Sequence, residues 1–260
     1  MPRLLNNWRK VWAAAAMLAL AGCNPTPEDK ADTPKAAKTT LGLMTSLPLY
    51  WEEGAGIADL AAGRATLPWQ RKALEVHNAL VPLDTLSPIP ALSPNAPEVD
   101  PLAGMTRLAV IQPRGFSPAD NAALDAWVRN GGRLLLVLDP VLTGDYDIPL
   151  GDPRRPVDTA LTPPVVERWG LAVSYDEAQA AGVTTAKLAG AALPLALAGR
   201  IAIVDPSAAR CTIAAGGAAA ICRVGKGRVT LIADAALFEH PELAGEDGAG
   251  LVAVIAAALE

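Results

Sequence analysis

The sequence predicts an α/β fold: a mainly parallel sheet flanked by helices, followed by an antiparallel hairpin region toward the C-terminus. Three observations predict it. Short apolar runs alternate with helical patterns along most of the chain. One run, "RLLLVLDP" (Arg133 to Pro140), is apolar at successive positions, as a strand covered on both faces of a parallel sheet must be. Later, "RCTIAAGGAAAICRVGKGRVTLIAD" sets Gly216-Gly217 and Gly225-Lys226-Gly227 as turns between strand-forming runs.

The elements follow in order. "LGLMTS" (Leu41 to Ser46) is a first buried strand and "VPLDTL" (Val81 to Leu86) a second, followed by a Pro-rich loop. "RLAVIQP" (Arg107 to Pro113) is a third. The best helix is "SPADNAALDAWVRNGG": Ser117 caps it, Pro118 takes its first position, and Asp120 suits its positive end. Leu124, Trp127 and Val128 form the apolar face, and Gly131 stops it. "RLLLVLDP" follows at once, completing a right-handed βαβ unit. A second helix lies in "TPPVVERWG", with Thr162 as cap and Gly170 as stop. "LAVSYD", "LPLALAG" and "RIAIVD" are short strand candidates. The terminal "GLVAVIAAALE" is a helix that covers the sheet and is too short to span a bilayer.

The first residues belong to an address, not to the fold. "MPRLLNNWRK" precedes the apolar "VWAAAAMLALAG", the pattern of a secretory signal peptide over residues 1–22. It ends in "LAGC", Leu20 to Cys23, which resembles the bacterial lipobox, in which the cysteine thiol accepts a diacylglyceryl group. Cys23 is therefore the expected lipidation site, and several acyl chains of palmitate type hold a protein firmly where one does not. Asn24 follows the cysteine where Asp would signal retention at the inner membrane. By resemblance to Gram-negative lipoproteins, the expected location is the periplasmic face of the outer membrane. "NPTPEDKADTPKAAKTT" has no apolar period, so residues 23–40 read as a lipidated flexible tether and residues 41–260 as a single α/β domain.

Composition excludes some functions. The chain of 260 residues is 51% hydrophobic, with a formal net charge of -5. Removing residues 1–22 takes away three positive charges and no negative ones, leaving -8. No Lys/Arg run exists outside the first ten residues, which argues against a nucleic-acid partner. Two histidines, His77 and His240, are too few for most zinc sites, and no metal is expected. No cofactor is expected either. "GKGRVT" lacks the Ser/Thr and the upstream Gly of a phosphate loop, and "EEGAGIAD" does not follow directly on a strand.

The helix with "W..NGG", the strand "RLLLVLDP" and the later "VGKGRVTLIAD" together resemble bacterial envelope proteins of the GldG-like group. These are auxiliary components of ABC transport or gliding-motility systems. The resemblance implies a fold similar to class I glutamine amidotransferases, from about Leu41 to the C-terminus. Such enzymes place a nucleophilic cysteine after a central strand, supported by a distant His and Glu. Here that strand end reads "LDPVLTG", with no Cys, Ser or His, so the catalytic set is absent.

The candidate site therefore rests on the polar residues that end adjacent strands: Thr45, Ser46, Gln112 and Asp139, at the sheet edge where α/β folds bind ligands. Asp139 either ends its strand, receiving backbone or Arg hydrogen bonds, or acts as a carboxylate nucleophile. Asp152, Arg154 and Arg155 form either an anion grip or a salt-bridged loop. Tyr50 and Trp51 either stack on a sugar or pack beneath their loop. Cys211 and Cys222, opposed in a hairpin turning at Gly216-Gly217, are expected to form a disulfide in an oxidising compartment. The expected function is a non-catalytic, lipid-anchored periplasmic domain, tied to the membrane and binding an envelope protein or small ligand. The alternative is a hydrolase or transferase using carboxylates such as Asp139 and Asp234.

Overall fold

The computed structural model describes residues 38–260 apart from Leu92 and Pro94. The expected signal peptide, Cys23 and nearly all of the tether lie outside these residues. Lys38–Glu260 forms one compact unit. Its first strand, β1 (Thr39–Thr45), begins two residues before the expected start of the domain at Leu41, because the β-branched Thr39 and Thr40 already pair with Asn78 and Ala79.

Two short helices, α1 (Ile57–Ala61) and α2 (Trp69–Leu74), lead into β2 (Asn78–Pro82). This strand starts and ends earlier than the sequence suggests. It stops at Pro82, which a sheet tolerates on an edge strand; Leu83 N–H still reaches Leu43 O of β1 at 3.0 Å, and the residues after it bond elsewhere. Leu86 N–H and Ser87 N–H donate to Asp120 Oδ1, at 2.8 and 2.9 Å. Then come β3 (Arg107–Ile111), α3 (Pro118–Arg129) and β4 (Arg133–Val137). Ser117 and Asp120 form a reciprocal capping box at the start of α3. Burial alone would raise the Asp120 pKa. Hydrogen bonds from Ser117, Thr85, Leu86 and Ser87 outweigh it and hold the carboxyl well below the usual range.

Helix α4 (Pro164–Arg168) is shorter than expected, and Thr162 does not cap it. Pro163 stands at the cap position, and Asn121 of α3 accepts from Val165 N–H at 3.1 Å. A neighbouring helix has replaced the local cap. Strand β5 (Leu171–Ser174) follows, then a hairpin of β6 (Val183–Leu188) and β7 (Ala191–Ala196), then β8 (Arg200–Ile203). β6 escaped the sequence reading because "VTTAKL" is mostly exposed. "LPLALAG" is the inner strand of that hairpin, and β5 pairs with β8, so neither joins the main sheet.

The remaining strands are β9 (Arg210–Ala214), β10 (Ala219–Val224) and β11 (Gly227–Ile232). The four-residue loop Ala215 to Ala218 joins the first two, and Cys222 lies opposite Cys211. The expected disulfide is present, with Cα atoms 4.0 Å apart. Short α5 (Ala236–Glu239) and terminal α6 (Ala249–Leu259) complete the chain. Among the described residues no helix is long and apolar enough to cross a membrane.

The fold is thus mixed α/β with a mainly parallel central sheet. Seven strands run in the order β2-β1-β3-β4-β11-β10-β9; the first five are parallel, and β10 and β9 are antiparallel additions. β4 is central and buried on both faces, as its sequence requires. Leu135 and Val137 enter the core beneath α6, while Leu134 and Leu136 enter the core beneath α3 and α4.

The segments "W..NGG" and "VGKGRVTLIAD" pack on each other. Lys226 N–H donates to Arg129 O at 3.0 Å and Arg228 N–H to Gly132 O at 3.0 Å. A Cβ on Gly227 would overlap the carbonyl of Val128, and one on Gly132 would overlap the Trp127 ring. These glycines are there for close approach of backbone to helix end, not for chemistry.

Candidate functional site

The carboxyl ends of the parallel strands carry two arrangements, one closed and one open. The closed one joins three of the four residues expected at the site. Ser46 Oγ donates to Gln112 O at 2.6 Å and accepts from Val157 N–H at 3.3 Å. Gln112, with φ of 46°, turns its amide onto Asp139: Nε2 donates to Asp139 O at 3.0 Å and Oε1 accepts from Asp139 N–H at 2.8 Å. Nε2 also donates to Val157 O at 3.0 Å. Gln112 and Asp139 are fully buried, at 0% exposure. Their side-chain bonds run to the chain itself, and as ligand-binding residues both rest on the sequence alone.

Asp139 is more than a strand stop. Its Oδ1 accepts from Val141 N–H at 2.8 Å and its Oδ2 from Ala235 N–H at 2.7 Å. The backbone partners expected of it are present; an arginine is not among them. Beside it, Asp234 Oδ1 accepts from Ala236 N–H at 2.8 Å and Oδ2 from Ala196 N–H at 2.7 Å. Two aspartates thereby tie β4, β7 and α5 together without a cation. Burial, and next the neighbouring Asp234, push Asp139 up to about 8. Burial pushes Asp234 up to about 7.

A third carboxylate continues the network. Glu239 accepts from Thr143 N–H and Gly144 N–H, each at 3.0 Å, and from Tyr146 OH at 2.7 Å. Thr143 Oγ1 also meets His240 Nε2 at 2.9 Å. This anchoring of the loop after β4 was invisible in the sequence, where Glu239 and Tyr146 stand far apart with no motif. Among the described residues no group of three or more His, Cys, Asp or Glu side chains is arranged to hold a metal.

The open arrangement lies over the ends of β1 and β2. A cleft of about 830 Å³ is lined by Thr45, Ser46, Tyr50, Trp51, Asp84 and Asp147, among others. Thr45 Oγ1 accepts from Leu47 N–H at 3.0 Å, shaping the turn into the cleft wall. Tyr50 OH donates to Leu43 O at 2.8 Å, and Arg71 donates to Tyr50 O at 3.0 Å. The Arg71 guanidinium also lies 4.9 Å from the Trp51 ring centroid, while Trp51 stays 42% exposed. Glu52, Glu53, Asp84 and Asp147 make the lining acidic. Its basic residue Arg154 is held by Asp152 through bonds of 3.0 and 2.8 Å. The "GDPRRP" cluster is a salt-bridged loop: Arg155 reaches Tyr146 O, Ile148 O and Asp158.

The family whose profile matches residues 72–253, from α2 into α6, is described as a domain of unknown function, DUF4350. The chain belongs to the DUF4350 family. The matched segment contains the Gln112–Asp139–Asp234 scaffold and Asp84, but neither Thr45 nor the Tyr50–Trp51 loop of the cleft. No curated protein matches this DUF4350 chain.

Among solved structures it is similar to the exo-beta-1,4-mannosidase Op5Man5 from Opitutaceae bacterium strain TAV5. The identity is 14% and the TM-score 0.46, over 87% of this chain and 37% of that one. A beta-galactosidase from Bacillus circulans sp. alkalophilus gives 9% and 0.42, over 84% of this chain and 30% of that one. A beta-galactosidase from Rahnella sp. R3 gives 14% and 0.40, over 76% and 29%. The DUF4350 chain spans well under half the length of these glycosidases, and similarity at this level carries no activity across.

Proposed function

We propose that this protein is a non-catalytic binding domain of the bacterial envelope, tethered through a lipid on Cys23, that takes a small neutral or cationic ligand in the cleft over β1 and β2. The observation that carries the reading is the division between closed and open arrangements. Asp139 and Asp234, the carboxylates read as a hydrolase's, are sealed and bonded to backbone, whereas the open cleft beside them is lined by aromatics and by Glu52, Glu53, Asp84 and Asp147. A cleft with four carboxylates and one engaged arginine repels anions and favours amines or polyhydroxyl groups, for which Trp51 offers an exposed ring.

The lipobox-like "LAGC" and the parallel sheet support a lipoprotein of the GldG-like, amidotransferase-like group, facing the periplasm from the outer membrane as an auxiliary part of an ABC-type transport system. Two measurements test the whole reading. Metabolic labelling with a fatty-acid analogue marks the wild type and not Cys23→Ser; equal labelling of both removes the anchor. Thermal-shift titration with polyamines and neutral disaccharides gives stabilisation that Trp51→Ala and Asp84→Asn abolish. Ligand-independent melting of the wild type, together with a hydrolytic activity lost in Asp139→Asn, returns the carboxylate enzyme.

A further inference from the structure

Five arginines that are scattered in sequence meet in one row across the sheet. Arg107 of β3 pairs with Arg133 of β4, which pairs with Arg228 of β11. Arg228 pairs with Arg223 of β10, and that with Arg210 of β9. Directly paired residues on neighbouring strands point to the same face, so all five guanidinium groups share it. At a strand spacing of about 4.8 Å the row is roughly 19 Å long.

The face is the one that α6 covers, and α6 ends at the row. Thr230 Oγ1 donates to Ala258 O at 2.9 Å, and one step further along β4 Arg133 donates to Leu259 O at 3.1 Å. Beyond that helix end Arg133, Arg210 and Arg223 are exposed, while Arg107 and Arg228 are half-buried. Among the described residues none of the five lies within 4.0 Å of a carboxylate. Their strands are spaced at less than the Debye length of about 8 Å, so salt screens their mutual repulsion only in part. Like charges directly opposed across a sheet weaken it; among the described residues Arg133 offsets this through its bond to Leu259 O.

A hollow of about 230 Å³ opens between Arg210, Arg223 and Arg228, and the Arg228 Nε is buried there without an acceptor. An orphaned donor among three unpaired guanidinium groups matches an oxyanion, which an arginine fork accepts in two bonds.

We propose that the arginine row binds phosphate oxyanions and that, in the tethered protein, these are the headgroups of anionic phospholipids. The second part rests on the lipid-anchor reading above. Strand β1 begins at Thr39 on the same edge of the sheet as the row, so a chain arriving from Cys23 enters beside it. Fifteen residues lie between Cys23 and Thr39, at most about 55 Å of extended chain, which lets the row settle on the surface. Five charges in line suit a plane of phosphates better than one free ion. The acidic cleft lies at the opposite edge of the sheet and faces away.

The test uses the full chain carrying Cys23→Ser, with and without Arg133→Gln, Arg223→Gln and Arg228→Gln, so that residues 1–37 contribute equally to both. Co-sedimentation with vesicles of equal parts phosphatidylglycerol and phosphatidylethanolamine should drop about five-fold per arginine removed, roughly a hundred-fold for the triple variant. Binding should weaken with added salt and be absent on pure phosphatidylcholine. If Arg228→Gln unsettles the fold, the exposed pair Arg210→Gln and Arg223→Gln carries the same test with a loss of about twenty-five-fold. Titration with inorganic phosphate separates the sources: saturation by free phosphate, with no preference for anionic vesicles, overturns the headgroup assignment. Retention on duplex DNA but not on vesicles overturns it as well. If the row binds anionic vesicles while the wild type takes no lipid label, the anchor reading fails and the row stands. If the label is present but the variants bind vesicles as the parent does, the row fails and the anchor stands.

Discussion

Gln112 holds Asp139 by the backbone from both sides, accepting from its N–H at 2.8 Å and donating to its carbonyl at 3.0 Å. The same amide donates to Val157 O, so one buried side chain closes the ends of β3 and β4 and the loop beyond them. Gln112→Ala leaves Asp139 N–H and the half-buried Val157 O without partners, while Asp139 O keeps the Ala160 N–H at 2.8 Å. The expected loss is about 2 to 3 kcal/mol, read as a lower urea midpoint with an unchanged slope. Gln112→Glu keeps the acceptor and loses the donor, and should fall between wild type and alanine.

Asp139 makes stability depend on pH in a defined direction. Its folded-state pKa, about 8, lies above the ordinary 3.8, so its contribution is complete below the unfolded pKa and is lost as pH rises through 8. Asp234, at about 7, acts in the same sense. The melting temperature should therefore decline between pH 5 and pH 8.5. Asp139→Asn should flatten that slope. Its amide also turns a donor toward one of two backbone donors, at a cost of about 1 to 3 kcal/mol at pH 5. The gap between variant and wild type should narrow at pH 8.5; a gap that widens with pH contradicts the assignment.

Gly227 lies against the carbonyls of Val128 and Gly132, where any Cβ overlaps backbone. Gly227→Ala should separate β11 from the end of α3 and cost about 3 kcal/mol or prevent folding. Gly63→Ala is the comparison: open space surrounds Gly63, although its φ of 66° strains any side chain. Its loss should stay near 1 kcal/mol. Parallel chemical denaturation of the two proteins checks the ranking.

The Cys211–Cys222 bond closes a loop of eleven residues' separation at the sheet's antiparallel end. Replacing both by serine should lower stability by about 2 to 3 kcal/mol without altering the fold. Alkylation under denaturing, non-reducing conditions should leave both thiols unmodified, as read by intact mass.

The legible parts of this protein are those fixed within a few residues. The box Ser117 to Asp120, with Pro118 between, starts α3, and two further glycines end it. Unbroken apolar character from Leu134 to Leu138 placed β4 at the centre. Two glycines midway between Cys211 and Cys222 set their pairing. Failures came where a distant partner replaced a local one. Thr162 reads as a cap, yet Asn121 supplies the acceptor. Asp139 reads as a strand end that takes backbone hydrogen bonds, and Val141 and Ala235 supply them; the Gln112 amide on its backbone is the part that carries no local signal.

Charge gives the sharpest division. By itself the sequence determined the α/β class, the address-like N-terminus, the disulfide and the lack of a basic run. It contained the five arginines, but only Arg223 and Arg228, in "RVGKGR", stood near each other along the chain. Their row exists only because strand register sets Arg107, Arg133, Arg228, Arg223 and Arg210 side by side. Register depends on which distant strands pair, which periodicity along the chain does not encode. Burial acted the same way on the carboxylates: tertiary packing alone sealed Asp139 and left Asp84 at an open cleft, because exclusion of water is a property of neighbours in space.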